Sequence, residues 1–356
     1  MPRPFPRRCS AALALIVFGF LATASVAAFR LVTAGESMTV AATAWLAGLD
    51  ALQRSRAQVE FDAAARTDWH FVPKTIRKGL PLTDMTKPQR DQAHALLEAA
   101  LSEAGYGKAM AIMELDELLR RLEGTAAKNT RDRLRYYVTI FGKPGPQGIW
   151  GLSFEGHHLS LNFTVRDGVL VDSTPQFMGA NPAEVKTTLP GLPAAGSRVL
   201  AAEESLAFEL VTSLTAEQRK QAVIAAEAPA EIRAAGAAQP PAAPLEGIAF
   251  AKLTADQQSL VRRLVETYCS AMPAEVAGER LSLIEKGSPA AAGLVHHGWD
   301  EIYFAWAGAL EPGKGHYYRL EGSTFVVEFV NVQPDAEGNP ANHIHCVWRD
   351  KTGDFR

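Results

Sequence analysis

The feature that most constrains the fold is a match of the chain with itself. Residues Tyr137 to Phe163, set against Tyr303 to Phe329 at a constant offset of 166, bring Tyr137 onto Tyr303 and Gly142 onto Gly308. The same offset brings Glu155-Gly156 onto Glu321-Gly322 and Phe163 onto Phe329. Thr86 and Gln89 meet Thr254 and Gln257 at an offset of 168, and Asn181-Pro182-Ala183 recurs as Asn339-Pro340-Ala341. Chance similarity between two hairpins is the competing explanation. Ordered matches over a helix, a hairpin and a loop favour one supersecondary plan used twice.

Each window reads as a strand, a glycine-rich turn and a long strand pair. Helices at Thr86-x-x-Gln89, Thr215-x-x-Gln218 and Thr254-x-x-Gln257 carry the capping-box spacing, followed by leucine or alanine at helical intervals. The expected fold is therefore α+β: two pseudo-equivalent halves from an internal duplication, each a helical layer on an antiparallel sheet. A ligand cleft is expected between them. The expected order is a signal peptide at 1–28, a leading helical segment at 29–65 and a first half at 66–225. An Ala/Pro-rich linker at 226–245 and a second half at 246–356 follow.

The first residues set the compartment. Arg3, Arg7 and Arg8 precede an apolar run from Ala11 to Leu21 and then Ala24-Ser25-Val26-Ala27-Ala28. Signal peptidase reads that order of charge, apolar core and small residues, so cleavage is expected after Ala27 or Ala28, giving a periplasmic or secreted protein. An uncleaved anchor is the competing reading, because Ala11 to Ala28 sits near the lower limit for a bilayer span. The small residues at its end favour cleavage.

Those 28 residues hold three arginines and no acid, leaving 33 Lys+Arg against 39 Asp+Glu and a net charge of −6. This balance argues against nucleic acid as the main partner. Arg131, Arg133 and Arg135 read as a solvated face. Cys269 and Cys346 could pair in an oxidising compartment, but are too few for a disulfide framework or a cysteine-based zinc site.

Candidate chemistry gathers on strands. Read as one strand, Phe154 to Val165 puts Glu155, His157, Leu159 and Leu161 on an apolar face. Gly156, His158, Ser160, Asn162 and Thr164 fall on a polar one. The repeat places Thr324 and Glu328 where the first half has His158 and Asn162, and His316 where it has Trp150. Asn342-His343-Ile344-His345 spaces two histidines at i and i+2, with Arg349 on the same face, so two imidazoles could reach one ion. A third ligand from His158, His316 or Glu328 would leave a coordination position for water. H-x-H alone is a weak motif. Histidines also cap buried networks, pair with acids or hold anions beside Arg319 and Arg349. No G-x-S-x-G, P-loop or G-x-G-x-x-G occurs.

With Trp69-His70-Phe71-Val72-Pro73, Gly142-Lys143-Pro144, Phe154 to Asn162, His316-Tyr317-Tyr318-Arg319 and Asn342 to Asp350 in view, the chain resembles the bacterial domain-of-unknown-function family numbered 3500. The resemblance covers nearly all of it past the leader. It implies no activity. It implies that relatives continue past Asp354-Phe355 into a helix ending in a His-Tyr pair; if that tail closes their site, a more open or differently completed site is expected here.

The leading functional expectation is an exported, metal-dependent hydrolase of a small polar or anionic substrate. His158, His343 and His345 hold the metal, with Glu328 and His316 catalytic and Arg319, Arg349 and Asn162 binding substrate. Zinc is the first choice of divalent ion, with copper, iron or manganese as alternatives; a redox metal would make an oxygenase instead. The alternative class is a non-catalytic binding protein for an anionic ligand.

Overall fold

The structure is a computed structural model describing residues 32–355 apart from 75, 127–128, 288–297 and 352. The expected signal segment 1–28 and the His296-His297 pair, read as a loop, lie outside the described residues.

Helices begin where the sequence supplies a cap. α1 (Ala34–Ala47) and α2 (Ala51–Ala57) start on Thr33 and Asp50, each with a capping box. α3 (Lys87–Ala100) starts on Thr86 and α4 (Glu103–Glu123) on Ser102, which takes the Gly105 N–H. In the second part come α5 (Ala201–Ser213), α6 (Ala216–Ala222), α7 (Ala255–Cys269) and α8 (Ala274–Lys286). All three threonine–glutamine boxes close, at Thr86, Thr215 and Thr254. Each satisfies two N–H groups that the helix leaves orphaned, for about 1 kcal/mol per cap. The box glutamines also tie helices together: Gln53 Nε2 donates to Gln89 Oε1, and Gln218 Nε2 to Gln257 Oε1.

The strands before residue 200 are β1 (Gln58–Val59), β2 (Leu80–Pro81), β3 (Tyr137–Gly142), β4 (Ile149–Gly156), β5 (Leu159–Arg166), β6 (Val169–Asp172) and β7 (Gln176–Ala180). After it come β8 (Val223–Ala225), β9 (Ile248–Ala249), β10 (Tyr303–Gly308), β11 (His316–Glu321), β12 (Phe325–Asn331) and β13 (Ile344–Asp350). They form one sheet in the order β1-β3-β4-β5-β7-β13-β12-β11-β10-β8, with β2 on β3, β6 on β5 and β9 on β10. Tyr137 lies opposite Glu155 and Gly142 opposite Trp150, while Tyr303 lies opposite Glu321 and Gly308 opposite His316. β7 and β13 pair at the centre, Met178 opposite Cys346. The chain is a mixed α and β protein with eight α-helices and one large, mostly antiparallel sheet among the described residues.

Strand alternation gives the sheet two unlike faces. Leu152, Phe154, Leu161, Phe163, Tyr318, Leu320, Phe329 and Trp348 belong to the main core, which also takes in Leu97, Leu118, Leu210 and Val261 from the helices. The other face carries Ser160, Asn162, Arg319, Glu328, His345 and Arg349, all buried. A second, smaller apolar cluster of Trp69, Phe71, Phe177, Ile232, Tyr317, Val330 and Val347 lies on that side.

Three expectations need correction here. Phe154 to Val165 is two strands, because β4 and β5 form a hairpin that turns at His157-His158. Crossing the turn moves Glu155 to the polar side, where it pairs with Lys78 at 2.8 Å and Arg77 at 3.5 Å. The Ala/Pro-rich stretch 226–245 is no free linker: Ile232 is buried and Trp69 Nε1 donates to Ala237 O at 2.7 Å, so it straps the polar face. Arg131 is not solvated, for its side chain is 9% exposed and bonded to Glu123.

Cys269 and Cys346 are both buried and free, and burial pushes the Cys269 thiol up to about 12, leaving it inert. Among the described residues no helix is long and apolar enough to cross a membrane.

At the end of β6, burial and then the Asp350 carboxylate push the Asp172 carboxyl up to about 7. An unfolded aspartate titrates near 3.9, so the native chain holds an extra proton between those values. Its stabilising effect is complete below about pH 4 and is lost as pH rises through about 7. Asp172→Asn cannot ionise and keeps an acceptor for the Asp354 N–H. It is expected to raise stability by about 2–4 kcal/mol at pH 8 and by little at pH 4, read by urea unfolding at the two pH values. An equal effect at both would refute the assignment.

Candidate metal centre

Three elements bring three imidazoles together. His158 sits in the β4–β5 turn with φ 61°, a left-handed conformation that costs a non-glycine residue about 1 kcal/mol. Two backbone hydrogen bonds hold it there: His158 N donates to Phe71 O at 2.9 Å, and Gly179 N donates to His158 O at 2.7 Å. Gly179 also makes room for the ring, since a Cβ there would come within 3.0 Å of His158 Cδ2 and 2.8 Å of Ile344 O. His345 lies in β13 opposite Gly179, its ring edge-on to Phe71 at 4.9 Å. His343 precedes β13, and its N–H donates to Asn331 Oδ1 at 2.9 Å. Asp335 accepts from Asn339 and Asn342 and so fixes the loop that delivers it.

The Nε2 atoms converge. His158 Nε2 and His343 Nε2 are 2.7 Å apart, and His345 Nε2 and His343 Nε2 are 3.1 Å apart. All three ligand atoms lie within 4.8 Å of one another. Burial, then neighbouring His157 and His343, holds His158 well below the usual imidazole range. Burial, then His345, holds His343 down to about 2. Both rings are therefore neutral, the form that ligates metal.

The outer nitrogens decide what the inner ones present. His345 Nδ1 lies 2.7 Å from Glu231 Oε2; a carboxylate only accepts, so Nδ1 carries a proton, and in the neutral ring Nε2 is the lone pair. His343 Nδ1 lies 3.3 Å from the Asn181 amide, whose Oδ1 is buried and otherwise unpartnered. With that amide turned, Oδ1 accepts from Nδ1–H and a second Nε2 is bare. Contacts of about 3 Å between Nε2 atoms are satisfied by a proton shared between two rings or by a cation among them, whereas lone pairs left facing one another repel. Three imidazoles directed at one point fit zinc, copper, iron or nickel better than the hard, oxygen-seeking ions.

Of the sequence candidates, the fold brings together His158, His343 and His345. His316 points to the opposite sheet face, stacked on Trp306 at 5.5 Å with Nε2 3.3 Å from Glu204. Parity explains this: Tyr317, one residue on, is the neighbour that faces the polar side. Glu328 shares a face with His345, but its carboxylate takes Arg349 Nη1 at 3.0 Å, Arg233 Nε at 3.0 Å and the Tyr317 hydroxyl at 2.8 Å. Arg319 pairs with Glu246 and Glu321, and Asn162 Nδ2 donates to Pro175 O. None of these five contacts an imidazole of the cluster.

Sequence reasoning missed Glu231, Asn181, and the pair formed by His157 and Asp116. His157 Nδ1 lies 2.6 Å from Asp116 Oδ1, and its ring lies 3.7 Å from that of His158. Glu231 was hidden because nothing in an Ala/Pro-rich stretch signals contact with a distant strand. A cavity of about 490 Å³ opens beside the His343 loop, lined by Glu184, Lys186, Arg198, Glu204, Asn331 and Asn342. The three imidazoles do not line it.

The family model described as "Protein of unknown function (DUF3500)" matches residues 33–356. No match is found among curated proteins or among solved structures.

Proposed function

The chain belongs to that family, and we propose that it is a metal-dependent hydrolase whose ion, most suitably zinc, is held by His158, His343 and His345. The observation that carries this reading is the convergence of three imidazole Nε2 atoms, with separations of 2.7 Å and 3.1 Å along the cluster. Nitrogens bound to zinc at about 2.0–2.1 Å stand roughly 3–4 Å apart, so a small relaxation seats the ion. Three protein ligands would leave a fourth position on an ion held between them, and the chemistry such an ion would supply is acidification of water near neutral pH. His343 is the half-buried member, so the approach runs past it. Glu328, Arg319 and Arg349 neutralise one another and their neighbours, and we assign them to the fold rather than to substrate. Elemental analysis of the purified protein tests the reading: one equivalent of zinc supports it, and none sinks it. Copper or iron in the same cage would favour the oxygenase alternative.

We read the architecture as a duplication with the site at the junction of its halves. The sheet order read from either edge gives the same succession: a short parallel strand, a three-stranded meander, and a strand at the centre. Ser153 opposite Asn162 and Arg319 opposite Glu328 keep the 166-residue offset on both sides. His158 comes from the turn of the first meander, and His345, with His343 just before it, from β13 of the central pair. We also place the protein outside the cytoplasm, on the signal-like residues 1–28 alone. Intact mass of material from the envelope fraction is expected to begin at Ala28 or Phe29; retention of Met1 would refute export with cleavage.

A further inference from the structure

We propose that Glu231 is the positioning residue of this centre, and that the strap carrying it belongs to the metal site. The proposal rests on the metal reading above. Glu231 Oε2 takes the His345 Nδ1 proton at 2.7 Å, while its Oε1 accepts the Ile232 N–H at 2.8 Å. With both oxygens engaged, the carboxylate fixes the ring's tautomer and its rotation about Cβ–Cγ. It therefore directs the bare Nε2 at the point shared with His343 and His158. A carboxylate behind a ligating imidazole also raises the ring's basicity and offsets part of the charge that a dication brings into a buried site.

The strap is held so that Glu231 has little choice of position. Ile232 is buried in the smaller apolar cluster. Arg233 N and Nε both donate to Glu328 Oε1, at 3.1 Å and 3.0 Å. Arg349 Nη2 donates to Arg233 O at 3.1 Å, and Gln239 Nε2 donates to Asp350 O at 2.8 Å. The charged residues nominated from sequence for chemistry thus anchor the segment that orients a ligand. Besides His343 and His158, the rings packed on His345 are apolar, Phe71 at 4.9 Å and Phe177 at 5.6 Å between centroids. Glu231 is the only described hydrogen-bond partner of His345 Nδ1.

The test is zinc titration of the whole chain against a competing chelator, with parent, Glu231→Ala and Glu231→Gln. Alanine is expected to weaken zinc by about 10–100-fold, the usual cost of losing a partner behind a ligand. Glutamine keeps an acceptor for Nδ1–H without the charge and should recover part of the loss. The melting temperature of the metal-free chain should move little in either variant. Unchanged zinc affinity in both variants, with the parent binding normally, would overturn the assignment and leave the metal site standing. A parent that binds no zinc would overturn both.

Discussion

Replacing His343 with alanine is expected to weaken zinc binding by more than about 100-fold, beyond the effect of losing a partner behind a ligand. Stability should fall by less than about 1 kcal/mol, because the residue is half-buried and its two edge-on ring contacts, with His158 and His345, crowd ring nitrogens together. The reasoning turns on what the cluster does without an ion. In its neutral form His345 keeps its proton outward on Glu231, and an Asn181 amide turned to present Oδ1 would draw the His343 proton outward too, leaving lone pairs face to face. Removing one ring relieves that repulsion, so the metal-free variant gains back part of what it loses in contact. His345→Ala should cost zinc as heavily and stability more, since it also strips an edge-on contact from Phe71. Calorimetry with zinc, beside urea unfolding of metal-free protein, separates the two quantities. A core histidine would show the reverse pattern: a large loss of stability with zinc affinity intact.

Glu328→Ala should fall mainly on the fold, costing about 3–5 kcal/mol of stability while weakening zinc by less than the about 10–100-fold expected of Glu231→Ala, since it loosens the strap without removing the Glu231 carboxylate. Glu328 and Arg349 have no exposed side-chain surface, and their Oε2 and Nη1 atoms are 3.0 Å apart. Neutralising one partner strands the other in a medium where an unpaired charge is expensive. Arg233 loses its backbone and side-chain acceptor in the same step, so the strap loosens. Glu328→Gln keeps the shape and some hydrogen bonding, and should cost less than alanine. Denaturant midpoints measure these losses. Full stability in both variants, with zinc binding lost, would move Glu328 from the fold to the site.

Capping boxes and strand alternation were legible because each depends on residues three or two apart. Thr86, Thr215 and Thr254 announce their helices locally, and Leu159, Leu161 and Phe163 announce the buried face of β5. The self-match at the 166-residue offset was visible because it compares the chain with itself. The turn at His157-His158 could not, since two histidines carry no turn signal and a left-handed φ is one that glycine or asparagine usually takes. His158 was still placed with His343 and His345, although the strand used to argue for it ends at Gly156. Glu328, Arg319 and Arg349 show the limit of reading charges on a strand. A buried charge looks the same in sequence whether a substrate or another side chain neutralises it. Here the neutralising groups include Arg233 and Glu246, which lie 95 and 73 residues away from Glu328 and Arg319. Glu231 stands 114 residues from His345, and no local pattern links them.

X-ray absorption at the metal edge, on protein loaded with one equivalent of zinc, tests the central claim most directly. The account predicts three imidazole nitrogens at about 2.0–2.1 Å with one further light ligand, and loss of one imidazole from that shell in His343→Ala. A chain that takes up no zinc, or a shell of oxygens that His343→Ala leaves unchanged, would contradict it.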